Sequence, residues 1–128
     1  MKFIILVFVV TLIISSYYLV KDFLEYKSSN DDNKELVKDV IDYTDNKEEK
    51  EDKIMINWDR LYEINKDIIG WIKIENTNIN YPILKDDENL KYLKHSYNEK
   101  HNNNGSIFTL NADPFNDENT VIYGHNMK

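Results

Sequence analysis

Three histidines, one serine and two aspartates are the side chains of this chain that could carry chemistry. His95 and His101 lie six residues apart in a Lys- and Asn-rich stretch. That spacing suits neither a helical metal pair nor a tight strand pair, and no third ligand is evident, so they read as surface histidines. His125 differs. It follows an apolar run and Gly124, where a strand end can hold an imidazole rigidly over a cleft. Ser106 precedes it, with Asp113 and Asp117 between, so a Ser-His-Asp arrangement is conceivable by geometry. Nothing marks Ser106 as a strained nucleophile elbow. The chain has no cysteine and one arginine, Arg60, so no thiol chemistry resides within these residues. Neither a metal nor a cofactor is called for by any spacing present.

Composition narrows the classes further. Acidic residues number 23 against 16 basic ones, for a net charge of -7. With a single arginine, this argues against a nucleic-acid surface. The apolar residues are concentrated at the amino end. Residues 3–20 carry no charge and would span roughly 27 Å as a helix, just enough for a bilayer core. Tyr17 and Tyr18 sit where amphipathic rings favour the interface. Ser15-Ser16-Tyr17 is a poor cleavage site, which favours an uncleaved signal anchor over a signal peptide. The expectation is a single-pass membrane protein with its amino end inside and the rest outside, residues 1–27 forming the anchor and its flank.

Residues 28–53 hold ten acidic and five basic residues and no Pro or Gly. Leu36, Val37, Val40 and Ile41 recur at helical spacing, so a short amphipathic helix is expected around 32–43. The run 45–53 has no apolar residue and should be solvated. This stretch reads as a charged stalk.

Residues 54–128 are left for a folded part. Asn57 is a good N-cap for a helix showing Trp58, Leu61 and Tyr62 on one side and stopping near Asp67. Strands are expected over 71–75, 79–84, 106–110 and 120–123, with Pro82 confining the second to an edge or bulge. Residues 86–97 read as a short helix or irregular turn with Leu90, Tyr92, Leu93 and Tyr97 to bury. One helix followed by four short strands is the beginning of a mostly-β barrel or sandwich. Seventy-five residues would bury a marginal core.

Four ordered stretches resemble a known family. Trp58-Asp59-Arg60-Leu61-Tyr62-Glu63-Ile64-Asn65-Lys66-Asp67-Ile68-Ile69-Gly70-Trp71-Ile72-Lys73-Ile74 is similar to the opening of a class B sortase domain. Thr77-Asn78-Ile79-Asn80-Tyr81-Pro82-Ile83 resembles its second strand, and Gly105-Ser106-Ile107-Phe108 a later one. Asn119-Thr120-Val121-Ile122-Tyr123-Gly124-His125-Asn126-Met127 resembles its catalytic-histidine motif. The resemblance covers the amino-terminal half of such a domain.

It implies a membrane-anchored cysteine transpeptidase on the outer face of Gram-positive bacteria, built on an eight-stranded β-barrel with extra helices. The family cleaves a sorting signal in a secreted protein through a Cys acyl-enzyme. It then joins the new carboxyl end to an amine of peptidoglycan or its precursor. A cysteine attacks, an arginine stabilises the oxyanion, and a histidine moves the proton. Only the histidine maps onto this sequence, at His125; Arg60 has no match to the family's arginine. After Phe108 the family often continues with an acidic-aromatic-Arg segment, where this chain reads Thr109-Leu110-Asn111-Ala112-Asp113. The expected fold is therefore an incomplete sortase-type barrel behind a transmembrane helix, inactive by itself. The other reading is a membrane-anchored, non-catalytic binding module built on a half-barrel.

Overall fold

A computed structural model describes residues 2–43, 54–111 and 113–125. The first element is one unbroken helix, α1 (Lys2–Val40). Its apolar first half is exposed throughout and is long and apolar enough to cross a membrane. The helix does not stop where the charge begins. It runs on through the short amphipathic segment expected after residue 32, because Leu36 and Val40, one turn apart, share a face that the folded part covers. Within the stretch read as a stalk, residues 28–43 are described, and Leu36, Val40 and Ile41 lie in the core. The solvated run expected over 45–53 lies outside the described residues.

After α1 come β1 (Ile41–Tyr43) and β2 (Ile54–Ile56), an antiparallel pair with Ile41 opposite Ile56. Helix α2 (Trp58–Ile64) follows. The Asn57 side chain accepts from the Arg60 backbone N–H at 3.0 Å, the capping expected from its type. Leu61 is buried, whereas Trp58 and Tyr62 remain exposed. Seven residues make only two turns, so one face of α2 meets the core and the flanking aromatics do not. The helix ends at Ile64, short of the expected Asp67.

The main sheet contains β3 (Ile68–Lys73), β4 (Asn80–Lys85), β5 (Ile107–Thr109) and β6 (Ile122–Tyr123), in that spatial order. β3 pairs antiparallel with β4, β4 parallel with β5, and β5 antiparallel with β6. Among the described residues its outer strands, β3 and β6, are not joined, so the sheet is open rather than a closed barrel. The core gathers Leu36, Val40, Ile41, Leu61, Ile68, Leu84, Tyr92 and Phe108 from both helices, β1, the main sheet and one connection.

Pro82 was expected at an edge or bulge. β4 is central, yet its ladder with β5 begins only at Ile83, so Pro82 lies beyond the pairing that would need its missing N–H. The connection from β4 to β5 is not a helix. It is an irregular chain around a single 3-10 turn (Lys91–Leu93), entered through Leu90 at φ 53. Tyr92 is buried and Tyr97 packs at the core's margin, while Leu90 and Leu93 are exposed.

Candidate functional site

His125 stands two residues past β6 and is exposed. What positions it is the β5–β6 pairing, Phe108 opposite Tyr123 and Thr109 opposite Ile122. The Phe108 and Tyr123 rings stack at 5.3 Å with an 18° interplanar angle. Thr109 is buried, and its Oγ1 donates to the Val121 carbonyl at 2.8 Å. Asn111 completes the link. Its Oδ1 accepts from the Val121 N–H at 3.2 Å, and its amide donates to the Asn119 carbonyl and to Asp117. Gly124 lies against Ile107, whose Cδ1 would sit 2.6 Å from an added Cβ. The strand exit thus presents an imidazole to solvent from a backbone tied to β5.

The other candidate groups do not join it. Ser106 Oγ donates to the His95 carbonyl at 2.9 Å, and no hydrogen bond among the described residues links it to His125. Asp113 accepts from the Asn116 amide, and Asp117 from that of Asn111. The Ser-His-Asp arrangement is not assembled. Arg60 bridges α2 to α1 through Asp39 at 3.0 Å and also pairs with Glu63. The hydrogen bond to Asp39, more than any other contact, raises its pKa.

His95 and His101 are brought together. They face each other across an isolated antiparallel bridge, rings 5.8 Å apart and edge to face. The six-residue spacing closes because Ser96 and Lys100 pair, and Glu99 takes a left-handed φ of 65 to turn the chain.

Sequence reasoning missed the polar cluster that braces this region. Asn65 donates through Nδ2 to Tyr92 Oη at 2.7 Å and to the Tyr97 carbonyl at 2.8 Å, while its Oδ1 accepts from the Asp67 N–H. Tyr92 Oη donates to Asp67 at 2.6 Å. The buried Asp86 carboxylate accepts from the backbone N–H groups of Asp87, Lys91 and Tyr92. Burial pushes the Tyr92 and Tyr97 hydroxyls up to about 12. The hydrogen bond to Glu99 holds the Lys91 ammonium charged well above its ordinary range. The spacing Asn65-x-Asp67 just before β3 was the available signal.

No family model matches the chain. Individual proteins do. It is 49% identical over 70 residues to sortase B of Listeria monocytogenes, covering 53% of this chain and 28% of that protein. It is 32% identical over 121 residues to sortase B of Staphylococcus aureus, covering 93% of this chain and 48% of that protein. A crystal structure of sortase B from B. anthracis matches with a TM-score of 0.66 at 31% identity, over 83% of this chain and 50% of that one. The chain spans less than half the length of the two sequence relatives. Shared sequence and a shared partial sheet behind an apolar helix define a sortase. Within that group, the chain belongs to the class B sortases.

Proposed function

We propose that the chain is the amino-terminal part of a membrane-anchored transpeptidase, and that His125 is its proton-transfer residue. The supporting observation is the placement of His125 at the open end of β6, on a backbone tied to β5 by Thr109 and Asn111. An exposed imidazole there can take a proton from an attacking group and return it to a leaving amine. The nucleophilic cysteine and the oxyanion-stabilising arginine are supplied from outside these 128 residues, since the chain has no cysteine and its one arginine is committed to Asp39 and Glu63. Alone, these residues transfer nothing.

The substrates are secreted proteins bearing a sorting signal, and the acceptor is an amine of peptidoglycan or its precursor. Residues 1–27 anchor the protein in the cell membrane with the amino end inside, and 54–128 hold the sortase part on the outer face. Residues 28–53 connect the two and dock onto the sheet through Leu36 and Val40.

The test compares a sorting-signal peptide incubated with the 128-residue chain and with the cysteine-bearing product read through the nucleotide sequence past codon 128. The short chain should give no cleavage above buffer. The longer one should cleave, and His125→Ala should lower its rate at least about 100-fold. Undiminished cleavage by His125→Ala would sink the assignment. A carbonate wash should leave the protein in the membrane pellet; release would overturn the anchor.

A further inference from the structure

We propose that His95 and His101, away from β6, bind a borderline divalent metal ion of the Zn(II) type.

The backbone sets the geometry. Ser96 N–H donates to the Lys100 carbonyl, and Asn102 N–H to the Lys94 carbonyl. These two bonds flank His95 and His101, which makes them a non-hydrogen-bonded cross-strand pair, the kind whose side chains stand closest. Ser96 and Asn102, the next residues along each strand, are buried. Alternation therefore turns both imidazoles to the outer face together.

Side-chain chemistry adds a second, independent point. His95 Nδ1 lies 2.7 Å from the Lys91 carbonyl, an acceptor that can only take a hydrogen. The proton of the neutral ring is thereby placed on Nδ1, leaving the Nε2 lone pair free. A ring nitrogen donating to a backbone carbonyl is how proteins orient metal-ligating histidines. His101 is exposed, and its ring makes no hydrogen bond to the described residues. Two imidazoles on one tetrahedral ion at 2.0–2.1 Å bonds have ring centres about 5 Å apart. The observed separation of 5.8 Å is within about 1 Å of that spacing.

Water would complete the coordination, as no acidic or third histidine ligand joins the pair among the described residues. The ion would pin the hairpin that carries Ser96 and Asn102, and Asn102 is bonded to Ser29 of α1. Metal binding would thus stiffen the attachment of the anchor helix to the sheet.

The experiment titrates Zn²⁺ into the full chain in detergent, without a histidine tag, by calorimetry, and follows the imidazole nitrogens by ¹⁵N NMR. One equivalent should bind, shifting the Nε2 signal of His95 and a ring nitrogen of His101. His101→Asn, which keeps the backbone bridge and removes only the exposed ring's contact with His95, should weaken binding at least tenfold, and His95→Asn should do likewise. His125→Asn should leave it unchanged. Absence of saturable binding would overturn the site, and so would affinity retained in His101→Asn or lost only in His125→Asn.

Discussion

The connection from β4 to β5 and the connection from β5 to β6 are both polar, yet the fold holds them in opposite ways. The first buries Asp86, Tyr92, Ser96 and Asn102, and the Asp86 carboxylate and Asn65 amide take the place of a regular ladder. The second keeps most of its described side chains in solvent, Phe115 at 70% exposure among them. It is tied mainly through Asn111, Thr109 and the Thr120 hydroxyl on the Pro114 carbonyl. The difference separates a braced scaffold from a lightly held strand end carrying His125. Buried polar groups that are fully satisfied specify one conformation; exposed ones permit several.

The largest break in that contrast should come from Tyr92→Ala. Emptying the volume of a side chain 1% exposed and removing one of the two acceptors of the Asn65 amide should cost about 3–5 kcal/mol in denaturant unfolding. Phe115→Ala in the other connection should cost below about 1 kcal/mol.

The glycines give the next test. Gly105 has φ 62, and an added Cβ would lie 2.6 Å from the Tyr92 carbonyl oxygen, which is backbone and does not yield. Gly105→Ala should therefore lose at least about 2 kcal/mol. Gly124→Ala meets only the Ile107 Cδ1 tip, so a rotamer change absorbs it for about 1 kcal/mol. Equal losses at the two positions would erase the distinction between the regions.

A pH series sharpens it further. The Tyr92 and Tyr97 hydroxyls sit at about 12 in the fold, above their ordinary 10. Below pH 10 both states keep the proton and the stabilisation is complete. Between pH 10 and about 12 the unfolded chain ionises first, so stability should fall across that window. Unfolding measured at pH 9 and 11.5 should show the drop, and a Tyr92→Phe, Tyr97→Phe double variant should flatten it. The smallest effect belongs to Arg60→Ala, which should leave the denaturant midpoint unchanged within measurement error, because its pairs with Asp39 and Glu63 are solvent-exposed.

Local chemistry was legible wherever it acts over a few residues. The apolar run of α1, the Asn57 cap and all four strands of the main sheet follow from periodicity and residue type, each strand within a few positions of its place. The placement of His125 at a strand exit was legible for the same reason. Other readings failed, some of them on contacts distant in sequence. Six residues between two histidines look unsuitable for a pair until a left-handed Glu99 closes the turn. Trp58, Leu61 and Tyr62 share one side of α2 by spacing, yet only Leu61 is buried in the two-turn helix.

The sequence by itself determined an apolar anchor-like helix, a sheet of short strands and the family to which they belong, because these depend on patterns contiguous along the chain. Only the tertiary structure decided that the charged stretch after the anchor docks through Leu36 and Val40. It alone showed that Asp86 and Asn65 replace regular structure with side-chain hydrogen bonds, and that Pro82 is harmless in a central strand. Those outcomes depend on which surfaces meet across the fold, where burial and satisfied hydrogen bonds outweigh local preference.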